Sequence, residues 1–223
     1  MSTYTALGVM SGSSLDGLDL ALCTFTVTGD RWQFSLDDAC TVPYEDQFRM
    51  RLKQGMHGTA LELVRLDRDL GDRIGHACKA FLAGKSVDVI ASHGHTIFHK
   101  PDEGLTAQIG HGARIAAIAG MPVTTDFRIL DVALGGQGAP LVPLGEKLLF
   151  TGHCTFLNIG GICNIALHEK DRVLGYDVWI GDQALNLVAG EAGLPFDRDG
   201  MLGRSGTLPR PLLEQLNALP FHR

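Results

Sequence analysis

Apolar positions dominate Tyr4–Met10, stop at a Ser/Gly turn, resume over Leu18–Phe25 and alternate with polar ones over Trp32–Leu36. This predicts a meander of three strands with a Gly/Ser/Asp-rich first turn. The period then changes. Pro43 and Glu45 open a short helix ending near Gly55, and Thr59 with Glu62 has capping-box spacing. Behind them Leu63, Leu66, Leu70, Ile74, Ala77 and Phe81 recur at helical steps, a long amphipathic helix closed by Gly84. Val87–Ala91 reads as a buried parallel strand. Ala113–Ala119 reads as a small helix ending at Gly120, and Pro122–Thr125 as a short strand. Asp131–Pro143 is rich in Gly and Pro, so it reads as a loop and as a domain boundary. Leu144–Phe150 reads as helical.

The strand pattern then restarts. Thr155–Ile159 and Ile162–Leu167 flank Gly160-Gly161 as a hairpin, and Val173–Tyr176 is a third strand ending on Asp177. Gln183–Ala192 and Pro209–Leu219 follow as helices. Each half therefore opens with strand, glycine turn, strand, then a third strand and helices. The first copy is Leu7–Leu22 and the second Phe156–Leu167. Two related halves suggest a ligand clamped between two domains.

Composition narrows the class. Of 223 residues, 45% are hydrophobic and 20% charged, which excludes a disordered chain. The net charge of −6 argues against a nucleic-acid partner held by phosphate neutralisation. It leaves room for a nucleotide held by backbone N–H groups. No apolar run of about eighteen residues occurs, so no membrane helix is expected. The N-terminus, MSTYTALGVMSG, lacks the regions of a signal peptide. Five scattered cysteines without a CxxC pair point to a reduced, cytoplasmic protein.

Five motifs carry candidate chemistry. The first is the turn Gly8–Asp19. Its small residues let a phosphate approach the backbone, and Asp16 and Asp19 make sense if Mg²⁺ lies between them and a nucleotide. It is not a Walker A sequence, and a tight hairpin turn with nothing bound is the alternative. The second is Leu157–Asn164 around Gly160-Gly161, alone a hairpin signal but suggestive as a partner to the first. The third, Ser92–His99, begins where a buried strand ends, the usual place for ligands in open α/β sheets. Polar recognition of a hydroxyl-rich ligand suits it; a metal site on His93, His95 and His99 is the rival, without the intervening Asp of HxHxD sites. In the fourth, Asp126-Phe-Arg128 with Asp131 and Gly135–Pro140, Arg128 can fork onto a substrate carboxylate or brace the loop through Asp131. The fifth is Asp177, a partly desolvated strand-end carboxylate suited to a general base, with Asp182 better placed to cap the following helix. The charges of Arg65–Asp69 read as a solvated helix face, and Trp32 and Trp179 as packing residues.

The stretches GVMSGSSLDGLDLAL (8–22), SHGHTIFHKP (92–101), TAQIG (106–110), PVTTDFRILDVALGGQGAPLVP (122–143) and LNIGGICNIAL (157–167), with Asp177, together resemble the anhydro-N-acetylmuramic acid kinase family from end to end. The resemblance implies an α/β, actin-like/sugar-kinase/Hsp70-type ATPase fold of two related βαβ-type domains, with ATP in the cleft. Residues 1–130 would form the first domain, carrying the phosphate loop 8–19 and a sugar-side loop 92–101. Residues 131–223 would begin the second. It also implies opening of the 1,6-anhydro ring of anhydro-N-acetylmuramic acid with phosphorylation at O6, in cell-wall sugar recycling. By the same resemblance Gly12, Ser13, Ser14, Leu15, Asp16, Gly17, Leu18 and Asp19 form the ATP phosphate loop, joined by Asn158, Gly160 and Gly161. Asp16 would face ATP-borne Mg²⁺, and Asp177 matches the catalytic aspartate. His93, Thr96, Asp126, Arg128 and Gln137 would line the sugar side. Sugar and ATP are the implied small-molecule partners, and a homodimer the implied assembly.

Two departures stand out. After the aspartate the family commonly reads Asp-Thr-Gly-Pro-Gly-Asn, whereas this chain reads Asp177-Val-Trp179-Ile-Gly181-Asp182 and continues to Leu185-Asn186. The chain also stops at Arg223, before the family's Pro-Pro-Lys-Ser-type segment. The second domain is therefore expected to be incomplete and this chain alone to show little kinase activity, which keeps a sugar-binding or dimerising remnant as the alternative function.

Overall fold

Three long strands begin the chain because apolar residues alternate on one face. They are β1 (Ser2–Ser11), β2 (Gly17–Thr28) and β3 (Arg31–Pro43). Leu7, Val9 and Ser11 of β1 and Leu18 and Leu20 of β2 point into the core. Both pairings are antiparallel. β3 runs well past the expected Leu36, because Asp37 is an extra residue between the Leu22–Asp38 and Cys23–Leu36 pairs. That bulge breaks the alternation from which a strand is read. The structure, a computed structural model, describes residues 1–139, 141–170 and 172–219.

Helices α1 (Asp46–Gln54) and α2 (Ala60–Leu82) follow as expected. The capping box is formed: Glu62 N–H donates to Thr59 Oγ1, and Thr59 N–H donates to Glu62 Oε2. Leu66, Leu70, Ile74, Cys78 and Leu82 make the buried stripe of α2. The helix closes one residue before Gly84, on Ala83 in the left-handed region (φ 48°). Next come β4 (Val89–Ser92), the hairpin β5 (His95–Lys100) and β6 (Leu105–Ile109), α3 (Gly112–Ala119) and the two-residue β7 (Val123–Thr124). The main sheet has order β3-β2-β1-β4-β7, with β1, β4 and β7 parallel. Helix α3 crosses α2 where Gly71 and Gly75 leave room for His111 and Ile118.

The expected loop over Asp131–Pro143 is corrected at both ends. Helix α4 (Phe127–Ala133) runs into it and α5 (Val142–Leu149) starts within it, leaving residues 134–139 and Leu141 non-helical; Pro140 lies outside the described residues. The second sheet has order β10-β9-β8, from β8 (Thr155–Ile159), β9 (Ile162–His168) and β10 (Val173–Ile180). This repeats the β3-β2-β1 order of the opening meander. Helices α6 (Asp182–Glu191), α7 (Met201–Ser205) and α8 (Arg210–Asn217) complete the described chain, α7 having no counterpart in the expected elements. Residues 220–223, which hold the expected chain-end departure, lie outside the described residues.

Contacts separate two units. The first comprises Met1–Phe156 with Ile165–Tyr176, and the second Leu157–Asn164 with the residues from Asp177 onward. The continuous core, from Leu7 and Ile90 through Phe48, Leu70, Ile74 and Ile115, belongs to the first. In the second, Gly181 and Ala189 are the buried residues among those described.

Candidate active site

In the first unit the parallel strands β1, β4 and β7 all deliver their carboxyl ends to one edge of the sheet. β1 leads into the turn 12–16, β4 into His93-Gly94, and β7 into Thr125-Asp126. Ligands of open α/β sheets gather at such an edge because loops there diverge and helices begin.

The turn is shaped by its own side chains. Leu15 N–H donates to the Gly12 carbonyl at 3.3 Å, and Leu15 takes a left-handed conformation (φ 58°). Asp16 Oδ1 accepts from Ser14 Oγ at 2.7 Å and from Gly17 N–H at 3.0 Å. Gly17 is obligatory: a Cβ there would collide with the Val42 carbonyl. Gly12 has no such crowding, and Ser13, Ser14 and Asp16 are exposed, so the outer face of the turn is open. Leu18 is placed otherwise than expected. It is 2% exposed and packs in the core. Asp19 lies on β2 and accepts from Thr41 Oγ1 at 2.6 Å, bonded within the sheet.

The second loop is a hairpin whose polar residues converge on Arg128. The guanidinium donates to the Gly138 carbonyl, to Thr96 Oγ1 at 3.1 Å, and toward His99 Nδ1 at 3.2 Å and His93 Nε2 at 3.5 Å. His93 Nδ1 faces the Gly94 carbonyl at 3.0 Å, which assigns the proton to Nδ1 and leaves Nε2 to accept. Among the described residues no carboxylate pairs with Arg128, so the expected Arg128–Asp131 brace is not formed. Asp131 instead accepts from Gly138 N–H at 2.6 Å. Arg128 and Asp131 thus hold the 134–139 loop independently, each through Gly138. Burial lowers the pKa of Arg128, and burial followed by the charge of Arg128 lowers those of His93 and His99. The imidazoles are therefore neutral partners of a cation.

Beside this cluster lies a cavity of about 520 Å³, lined by residues that include Asp67, Ser92, His93, Gln108 and Asp126. Ser92 Oγ and Gln108 Oε1 are buried without a hydrogen-bond partner among the described residues. Gln108 spends its amide N–H groups on Thr96 and Thr106. The lining side chains Ser92, His93, Gln108 and Asp126 offer donors and acceptors that suit a ligand bearing hydroxyl or amide groups. Asp67 is not the solvated residue expected of its helix face. It accepts from Gly110 N–H at 2.8 Å and fixes the entry to α3. Asp126, left-handed at φ 59°, is exposed at the cavity mouth, and Gln137 is exposed on the 134–139 loop.

Asn158, Gly160, Gly161 and Asp177 belong to the second unit. Gly181 N–H donates to the Gly161 carbonyl at 3.0 Å and Asp182 N–H to the Gly160 carbonyl at 2.8 Å. The glycine turn thereby receives the first N–H groups of α6, and a Cβ on Gly181 would collide with the Gly160 carbonyl. Gly181, not Asp182, is the N-cap, because the turn itself supplies the acceptors. Asp177 lies within β10 rather than at its end and is exposed, because the strand continues to Ile180.

The structure brings His93, Thr96 and His99 of the third motif onto Arg128 and places Ser92 and Asp126 on the adjoining cavity, together with Gln108 and Asp67, which the sequence did not single out for the site. The regular polar alternation of Thr106 and Gln108 is the one signal that could have revealed the hairpin. Among the described residues no group of three or more His, Cys, Asp or Glu could hold a metal ion, so the His93–His95–His99 site is not assembled. His95 faces Ser11 instead, because alternation along β5 turns it inward. No helix among the described residues is long and apolar enough to cross a membrane.

The fold and site define a mixed α/β protein with a glycine turn and a polar cavity at one sheet edge. The model of the family described as anhydro-N-acetylmuramic acid kinase matches residues 4–223, and the chain belongs to that family. Anhydro-N-acetylmuramic acid kinase of Paramagnetospirillum magneticum is 39% identical over 94% of this chain and 61% of its own length. That of Rhizobium etli is 37% identical over 98% and 64%. The chain thus spans about three fifths of the length of these relatives. A crystal structure of ethanolamine utilization protein EutJ from Carboxydothermus hydrogenoformans overlaps 96% of this chain and 65% of that one, at a TM-score of 0.34 and 15% identity.

Proposed function

We propose that this chain carries the sugar-binding and phosphate-turn parts of an ATP-dependent anhydro-N-acetylmuramic acid kinase with an actin-like fold. The observation that carries the reading is the convergence, at the carboxyl ends of β1, β4 and β7, of an open glycine turn and a cavity lined by Ser92, His93, Gln108 and Asp126. Family membership supplies the substrate class, and the strand order β3-β2-β1-β4-β7, restarted by β10-β9-β8, supports the actin-like reading.

In this reading Gly12–Gly17 cradle the ATP phosphates, and Asn158, Gly160 and Gly161 are nucleotide-binding residues of the second unit. Phosphoryl transfer asks mainly for positioning and charge neutralisation. The donor set fits Mg²⁺ brought in on ATP, which needs only one or two protein carboxylates: Asp16 is exposed at the open face and held by Ser14. Mg²⁺ there would neutralise phosphate charge. His93, Thr96, Arg128 and Gln137, with Asp126, bind and orient the sugar, and Arg128, which has no carboxylate partner among the described residues, suits a carboxylate on it. Asp177 takes a proton from the water that adds to the anomeric carbon. The bond between that carbon and O6 breaks, and O6 takes the γ-phosphoryl group, giving N-acetylmuramic acid 6-phosphate and ADP. A cytoplasmic location and a homodimer belong to the same proposal.

The test is turnover of ATP and 1,6-anhydro-N-acetylmuramic acid by the full-length protein in ¹⁸O-water. One ¹⁸O on the anomeric hydroxyl of the 6-phosphate is expected, and Asp177→Asn should lower kcat by about 10²–10⁴-fold. Absence of the labelled product, or wild-type turnover by the variant, overturns the proposal.

A further inference from the structure

The glycine turn is closed by a residue that lies outside it. Tyr44, at the junction of β3 and α1, reaches both of its ends. Its phenolic O–H donates to Ser11 Oγ at 2.8 Å, where β1 enters the turn. Its backbone N–H donates to the Asp16 carbonyl at 3.1 Å, where the turn leaves for β2. Ser11 Oγ also lies 3.3 Å from His95 Nδ1, and the Ser11 carbonyl 3.4 Å from the same nitrogen. Ser11, His95 and Tyr44 are 3%, 7% and 9% exposed, so water does not replace these bonds cheaply. The Tyr44 ring is itself fixed against Phe48, at 5.5 Å between centroids, and Arg73 covers Phe48 at 4.1 Å.

We infer that Tyr44 is a positioning residue for the nucleotide: by tying Ser11 to Asp16 it sets the span of the turn that must meet the ATP phosphates. This rests on the kinase reading of the turn. Elementary chemistry explains why a tyrosine serves. Its hydroxyl is the only polar atom on a long rigid side chain, so one residue anchored in the core can bond a strand end while its own backbone bonds the turn's exit. Burial raises the Tyr44 pKa to about 12, so the hydroxyl remains a donor throughout the working range. A turn held at both ends needs less ordering when phosphate binds, which favours nucleotide affinity over chemistry at the sugar.

The test is Tyr44→Phe and Ser11→Ala, singly and together, in the full-length protein, read by KM for ATP, KM for the anhydro-sugar, Tm and amide hydrogen exchange of residues 12–17. Phe keeps the ring packing and the backbone bond to Asp16, so the fold should survive. The expected result is a rise of about 3–10-fold in KM for ATP in each single variant. The double variant should be no worse than the poorer single one, because both remove the same bond. Exchange at residues 12–17 should quicken, while KM for the sugar stays put. If Tm falls and both KM values rise together, the role is merely structural and the inference fails. If wild type binds ATP and neither variant moves KM for ATP, the inference alone fails. If wild type binds no ATP at all, the kinase reading fails with it.

Discussion

At the scale of single residues, the sheet edge is organised around one cation and three imidazoles. Burial keeps His93, His95 and His99 below their ordinary pKa of 6.5, and the nearby Arg128 adds to this for His93 and His99. The folded chain therefore binds fewer protons at these sites than the unfolded chain. Stability from them is complete above about pH 6.5 and is lost as the pH falls through that value into the lowered folded range. A Tm measured at about pH 5.5 should lie a few degrees below that at about pH 7.5. His93→Gln should shrink the difference; an undiminished difference would mean that other groups cause it. These residues also show what was readable beforehand. Arg128 and His93 stood out as types that recognise polar ligands. The direction of Arg128 did not, since Asp131 was nearer in sequence and the Gly138 carbonyl that holds the guanidinium has no side-chain signature.

Among elements, the legible ones were those whose burial pattern repeats. Helix α2 has a capping box and an unbroken stripe from Leu66 to Leu82, and both were visible in the letters. The hairpin β5–β6 was not, because His95, Thr96, His99 and Lys100 are polar residues used inside a small two-stranded sheet. Helix α4 was hidden by the glycine loop behind it, and β10 by Asp177 in its middle. One feature of α2 runs against propensity. Gly75 sits inside the helix, where Ala would be favoured by about 1 kcal/mol. A Cβ there would lie 2.8 Å from Ile118 Cβ, at the crossing with α3. Gly75→Ala should therefore destabilise the protein by about 1–3 kcal/mol through overpacking. Urea unfolding checks it, and a stabilised variant would show that α3 moves aside freely.

For the whole molecule, burial is distributed unevenly. The first unit holds the continuous core, with Leu7, Leu70, Ile74, Ile90 and Ile115 fully buried. In the second, Leu185, Leu187 and Val188 of α6 are exposed, as is α8 throughout. Amides of β1, β4 and α2 should therefore exchange most slowly in native-state hydrogen exchange, and those of α6 and α8 faster by orders of magnitude. Equal protection of α2 and α6 would refute this. The outer strands of the main sheet carry a different consequence. β7 is two residues long and offers little edge to copy. β3 is long and largely exposed, yet its middle is interrupted by the Asp37 bulge, with Asp37 pinned by Thr24 and Ser35 and Asp38 adjoining it. A neighbouring molecule seeking to extend the sheet through β3 would meet a kinked backbone and two carboxylates. The residue that obscures β3 in the sequence is thus also the one that blunts its edge against strand-to-strand pairing.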